Sequence, residues 1–320
     1  MLNLIKNELI KVFKRKNIYI LLFIGIIIII GYNIFQRIIN SNVDISKQYQ
    51  RAYTNDKLYL ENYDQLNIKD TREEIEERLA LEKYAIDNDI KYNILLNSEN
   101  NNSQMPSDAR ILLMKVFNNF DIIIVFILIY LASTIISEEL GSGTIKNVLS
   151  KPHTRTKILF SKIITNILIV IGIVSLIVIF QYILGGLLFG FDSYSLEAIR
   201  YNNYTKMIER TNLVKYIIIL VLSKMPMYLL ITGISLLFGL ITNNMALNIL
   251  ISLGIYLISK LEILINNFTK YIFIYNWDIS KYLYSANDAI IQATSISFIS
   301  LVIIFIILII GFKNKDIKNI

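Results

Sequence analysis

The sequence predicts an all-α membrane protein with six transmembrane helices, both termini cytoplasmic, and an extracellular helical insertion between helices 1 and 2. Three observations carry that reading. Of the 320 residues, 54% are hydrophobic, whereas soluble domains hold about 45–50%. The apolar stretches run unbroken for close to the length a helix needs to cross about 30 Å of hydrocarbon. Lysine and arginine gather in the N-terminal segment, in residues 138–162 and in the C-terminal tail, and bases in short connections mark the cytoplasmic side.

The remaining composition narrows the chemistry. The net charge is +7 and the pI about 9.2. The bases sit beside apolar spans, so they speak for membrane orientation and against a nucleic-acid partner. With no cysteine, neither a disulfide framework nor thiolate metal or redox chemistry is available.

Taken in order, residues 1–16 form a cytoplasmic interfacial helix. Leu2, Ile5, Leu9 and Val12 lie opposite Lys6, Lys14 and Arg15, which suits a helix on the lipid surface. The first span, 17–37, is too long and too poor in small residues for a cleaved signal peptide. Residues 38–119 form the insertion, with one helix expected over 45–66 and a second after a capping box of Thr71 and Glu74. In the second, Ile75, Leu79, Ile86, Ile90 and Ile94 recur at helical spacing. The second span is 120–137, the cytoplasmic segment 138–162 and the third span 163–189. An extracellular loop, 190–215, leads to spans 216–241 and 247–265. An aromatic loop with short helices, 266–289, precedes the last span, 290–312, and the cytoplasmic tail, 313–320.

Several activities are excluded by the residues themselves. No Gly-x-x-x-x-Gly-Lys-Ser/Thr phosphate loop occurs, so ATP is not bound by that device. His153 is the only histidine, so neither a histidine metal cluster nor a Ser-His-Asp triad can form. No catalytic or metal-binding residue is expected.

The polar stretch "SEELGSGTIKNVLSKPHTRTKILFSK", Ser137 to Lys162, invites a different reading. Glu138 and Glu139 close the second span, and Gly141 and Gly143 permit a sharp turn. Thr144 can cap a short helix whose apolar edge is Ile145, Val148 and Leu149, and which Pro152 ends. Arg155, Lys157 and Lys162 then mark the membrane surface. So short a helix is unstable alone and suits a partner's groove.

These residues resemble the motif of type-2 ABC exporter (ABC-2-type) permeases of the bacitracin and peptide-export-like kind. The pattern is an acid (Glu138 or Glu139), then Gly143, Thr144, Ile145, Lys146, Leu149, Pro152, Arg155, Ile158, Leu159 and Lys162. The opening "ELIKVFKRKNIYILL", Glu8–Leu22, also fits. Residues 140–142, Leu-Gly-Ser, depart from the usual bulkier or charged linker, which leaves open which glutamate fills the acid position. The resemblance implies a non-enzymatic transport subunit without a cofactor of its own, ATP and magnesium being bound by a cytoplasmic ABC ATPase present in two copies. A second permease copy, identical or related, would complete the route across the lipid of a bacterial cell membrane, of Gram-positive type. It also implies export of an amphipathic substrate, either an antimicrobial or toxin-like peptide or a lipophilic drug. Glu138, Glu139, Gly143, Thr144, Ile145, Lys146, Leu149, Pro152 and Arg155 would couple the chain to the ATPase.

Ionisable residues inside spans are costly and point to function. Lys224, just before Pro226, either faces a translocation pathway or snorkels to the headgroups. Asp121, Lys260 and Glu262 near span ends suggest snorkelling or a mutual contact, and Trp277 with its tyrosines suggests a bilayer-boundary belt. A reading from another class is a membrane sensor or anchor whose extracellular helices bind a ligand without ATPase coupling.

Overall fold

Long apolar runs with few breakers become helices because hydrocarbon offers the backbone no other hydrogen-bond partner. The computed structural model describes residues 1–40, 45–63, 72–88, 94–95, 108–146, 153–190, 197–202, 207–260, 273–283 and 287–315. Five described helices are long and apolar enough to cross a membrane. They are α2 (Lys16–Asn40), α6 (Asp121–Gly141), α7 (Arg155–Phe189), α8 (Leu213–Thr242) and α11 (Asn287–Asn314). The amphipathic start is α1 (Leu2–Phe13), and α9 (Met245–Lys260) covers most of the fifth expected span. At 16 residues α9 is about 24 Å long at the helical rise, short of a full crossing, and residues 261–265 of that expected span lie outside the described ones.

Contacts divide the chain into two compact units. The first is Met1–Ile28, Phe117–Ile179 and Val221–Ile320; the second is Ile29–Val116 and Phe180–Leu220.

Within the first unit α6 is the central helix: 72% of its apolar stretch is buried, against 22% for α2. Because lipid tails are as apolar as leucine, small and polar side chains rather than the hydrophobic effect hold spans together. Such a seam joins α6, α8 and α9. Asn248 donates to Ser137 at 2.6 Å and to Ser235 at 3.3 Å, and Ser252 donates to Asn248 at 3.2 Å. Asn166 of α7 donates to Thr232 of α8 at 2.9 Å. Gly239 makes the seam possible, since a Cβ there would lie 2.6 Å from the Ser137 hydroxyl. Two short turns, α10 (Phe273–Asn276) and a 3-10 helix (Ile279–Tyr282), precede α11. Trp277 between them is buried, so it packs inside the protein and does not join a lipid-facing aromatic belt.

The second unit is not purely helical. Helices α3 (Ile45–Glu61) and α4 (Arg72–Asp87) pack together, with Ile75, Leu81 and Ala85 buried and Arg78 bonded to Asp56 at 2.8 Å. Thr71 of the expected capping box, Ile90 and residues 64–66 lie outside the described residues. Ile94 does not continue α4, which ends at Asp87. It belongs to β1 (Ile94–Leu95), which pairs in parallel with β2 (Glu197–Asn202) through Ile94↔Ala198 and Leu95↔Ile199. Strand β3 (Met207–Asn212) completes an antiparallel hairpin, Glu197↔Asn212 to Asn202↔Met207. The expected loop 190–215 is thus largely a hairpin, and the insertion adds a strand to it. A further helix, α5 (Ala109–Asn119), carries buried Ile111, Leu112 and Val116. Gly185 of α7 meets Ala109 so closely that a Cβ would sit 2.8 Å from its Cα. Asn33 of α2 and Gln181 of α7 exchange reciprocal amide bonds of 2.9 and 3.0 Å, both side chains fully buried.

Glu82 on α4 is buried, and its Oε2 has no partner among the described residues. Burial, then the Asp56 charge, push its carboxyl up to about 8 against a smaller pull from Arg78. The folded form therefore holds a proton that the unfolded form has released, and stability falls as pH rises from the ordinary carboxylate range through about 8. Melting followed across that window should show the decline, and Glu82→Gln should flatten it.

Gly239→Ala is expected to cost about 1–3 kcal/mol through overpacking, read as a lower melting temperature in detergent. Gly254→Ala, where a Cβ meets nothing within 4 Å, should leave it unchanged or slightly higher.

Candidate coupling site

The described parts of the segment singled out in the sequence, 137–146 and 153–162, comprise the end of α6, a turn and the start of α7. Helix α6 continues through Glu138 and Glu139 to Gly141, so both glutamates are helical and not part of a loop. Ser142 caps it, its hydroxyl donating to the Glu138 carbonyl at 2.6 Å. Gly143 turns the chain with a φ of +71°, a conformation that costs glycine nothing and a β-carbon residue about 1 kcal/mol. Thr144 shares a 2.9 Å bond with Ser142 and reaches back to the Glu139 carbonyl at 3.5 Å. Ile145 and Lys146 begin another helical turn. Val148, Leu149 and Pro152 lie outside the described residues. Ile145 is fully buried, so its apolar side chain anchors the turn to its own chain and is not offered to a partner. Thr144 and Lys146 face solvent.

Arg155 is not a loop residue either. It is the first residue of α7, which starts eight positions before the expected span. Its guanidinium donates to the carbonyls of Lys313 and Lys315 at 3.1 Å each, where α11 ends and carbonyls lack intrahelical partners. Lys315 in turn donates to the Leu240 carbonyl and the Asn243 side chain at the end of α8. Gly141 closes the ring, because a Cβ there would lie 2.6 Å from the Asn243 carbonyl.

The centre of this end is a charge cluster. Lys162, about 10 Å along α7 from Arg155, does not mark the surface: it is wholly buried. Its ammonium donates to Glu139 Oε2 at 2.7 Å, Glu8 Oε2 at 2.8 Å and the Ile135 carbonyl at 2.8 Å. All three donors of a lysine are thereby used. The other oxygens of Glu8 and Glu139 both accept from Lys11 at 2.8 Å. Two acids and two bases cancel, fastening α1, α6 and α7 at one point. Glu139 is the inward acid, and Glu138 pairs at the surface with Arg15. Burial opposes the Lys11 charge, but its bonds to Glu139 and Glu8 and their charges hold it above the ordinary lysine value.

Sequence reasoning missed Glu8 and Lys11 as site residues and misplaced Lys162. The signal was present: Glu8 shares the stripe of Ile5 and Val12 on α1, and Lys162 precedes an apolar run. A charge on a buried stripe calls for a partner charge.

A second cluster lies at the other end of α6, 18 residues from Glu139 and therefore about 27 Å away. Lys224 is not snorkelling; it is buried and contacts Asp278 at 3.3 Å and Asp121 at 3.5 Å. Lys260 reaches the same two carboxylates at 3.5 and 3.3 Å, so the mutual contact expected of Asp121 and Lys260 is present. Tyr228 and Tyr256 donate to Asp121 at 2.7 and 3.2 Å. Glu262 lies outside the described residues. Pro226 sits within α8, which continues through it. Asp278 caps the 3-10 turn, accepting from the Ser280 backbone and hydroxyl. Burial opposes its charge, but Lys224, Lys260 and the Ser280 bond hold its carboxyl below the ordinary value.

The first unit also has an apolar groove of about 360 Å³, open to the surface, among α2, α6 and α9, lined by Leu21, Gly25, Ile28, Ile123, Phe126 and Leu253 among others.

Five helices of membrane-crossing length, an amphipathic leading helix and a polar turn at one end of them define a multi-pass membrane protein. The chain matches the family described as "ABC-2 family transporter protein" over residues 2–312, and it belongs to that family. It is a multi-pass membrane permease of an ABC transporter; such permeases are typically non-catalytic and generally work with an ATPase subunit. No curated protein and no solved structure matches the chain.

Removing Lys162 leaves two buried carboxylates sharing one half-exposed lysine. Lys162→Met should cost about 3–5 kcal/mol, measured by thermal unfolding. A Glu8–Lys162 double-mutant cycle should show coupling of about 0.5–3 kcal/mol.

Proposed function

We propose that this chain is the permease of an ATP-driven exporter whose segment 138–162 docks on a cytoplasmic ABC ATPase. Two ATPase copies and two permease copies form the working assembly, in the cell membrane of a Gram-positive type of bacterium. Six spans cross the bilayer with both termini inside and the insertion outside. The observation that carries the reading is the Glu8–Lys11–Glu139–Lys162 cluster directly behind the turn. It joins the interfacial helix to the starts and ends of two spans, so a push on the turn tilts them together rather than bending one. Exposed Thr144 and Lys146 face the partner, with Leu149 and Pro152 completing the docking segment.

The cargo is amphipathic, an antimicrobial or toxin-like peptide or a lipophilic drug. The apolar groove supports a cargo with an apolar part, because an apolar lining favours apolar groups over polar ones.

The test is co-purification with the ATPase and its hydrolysis rate. Lys146→Glu should leave thermal stability within about 0.5 kcal/mol, as exposed substitutions do, while partner retention and permease-stimulated hydrolysis are lost. Unchanged retention and hydrolysis would overturn the reading and favour a sensor or anchor that works without ATPase.

A further inference from the structure

The cluster at the end of α6 away from the coupling turn has no part in that docking. Its four charged groups come from four separate places: Asp121 opens α6, Lys224 lies in α8, Lys260 ends α9 and Asp278 precedes the 3-10 turn. Each lysine contacts both carboxylates, at 3.3–3.5 Å in all four cases. The sum of charges is zero, and three side chains are only 3–4% exposed while Lys260 is 35% exposed. Asp278 is fixed by its cap, one oxygen on Ser280 and the other on Lys224. Asp121 is fixed by two buried tyrosines, which spend their hydroxyls on it.

We propose that Asp121, Lys224, Lys260 and Asp278 form a latch that holds this end of α6, α8 and α9 shut against the connector before α11, and that must part for cargo to leave. Three physical points support it. Parting the connector from the helices takes Asp278 from both lysines at once and leaves Asp121 alone to balance Lys224 and Lys260, so opening is opposed by an uncompensated charge. The ion-pair contacts are 3.3–3.5 Å, longer than the 2.7–2.8 Å ones of the coupling end. Lys260, 35% exposed, is the least buried member of the set and leaves it open to the surface on one side.

What the opening serves rests on the permease reading, but the latch can be tested without an ATPase. The chain has no cysteine, so one introduced thiol is a unique reporter. Ser259→Cys replaces a buried hydroxyl beside Lys260 that is bonded to the Tyr256 carbonyl. Ser161→Cys replaces a buried hydroxyl beside Lys162, at the coupling end. Purified chain in nanodiscs, wetted on both faces, is exposed to a charged maleimide. In a Lys224→Met/Asp278→Asn background, the Ser259→Cys thiol should label about tenfold faster or more, as local opening gains population. The Ser161→Cys thiol should keep its slow rate in that background. Lys224→Arg, which preserves the charge, should stay protected at Ser259→Cys. An unchanged rate at Ser259→Cys overturns the latch. Equal acceleration at both reporters also overturns it, because the loss is then global unfolding rather than release of one end.

Discussion

The ammonium of Lys162 spends every donor it has on two glutamates and a backbone carbonyl, inside protein and about two turns into a membrane-crossing helix. An ion there is tolerable only when its neighbours cancel it and its bonds replace those of water. Glu8 and Glu139 supply the cancellation, and Lys11 balances the surplus acid. The requirement reaches well beyond the four residues. It fixes the rotation of α1, so that the Ile5–Val12 stripe faces inward. It fixes where α6 stops, because Glu139 must arrive level with Lys162.

Around that point the same end is tied by devices of another kind. Arg155 satisfies the terminal carbonyls of α11, Lys315 those of α8, and Gly141 admits the turn between α8 and α9 to van der Waals distance. Helix termini leave carbonyls that hydrocarbon cannot satisfy, so each cap does double duty: it meets a bonding need and it binds one span to the next. The polar seam of Ser137, Ser235, Asn248 and Ser252 continues the connection along α6. Since no hydrophobic force holds spans together in lipid, these few bonds decide which helices move as a body.

The apolar runs were readable because hydrocarbon imposes length and composition directly on the chain: five described helices of membrane-crossing length overlie expected spans, four within four residues of their bounds and α7 starting eight residues early. The amphipathic first helix and the turn at Gly143 were readable for the same reason, a local pattern with a local cause. What local pattern could not supply was partnership. Nothing near Ile94 announces a parallel strand partner more than a hundred residues away at Ala198. Lys162 and Lys224 look like surface markers until the carboxylates of other helices arrive beside them. Glu138 and Glu139 are adjacent and identical, yet one turns to the interior and one to Arg15, a choice made by helix rotation.

The two charge clusters share a composition, two acids and two lysines, and each has one sealed lysine and one partly exposed, but they differ in contact length. At the end near Glu139 the ion-pair contacts are 2.7–2.8 Å and the neighbouring helix ends are capped. At the opposite end the contacts are longer, one lysine is a third exposed, and one carboxylate sits on a two-turn connector rather than on a span. A helix pinned equally at both ends could not tilt, and one pinned at neither could not transmit. On the permease reading proposed above, α6 is held at Glu139 by contacts of 2.7–2.8 Å and at Asp121 by ion pairs of 3.3–3.5 Å, and the far end is the one proposed to give way.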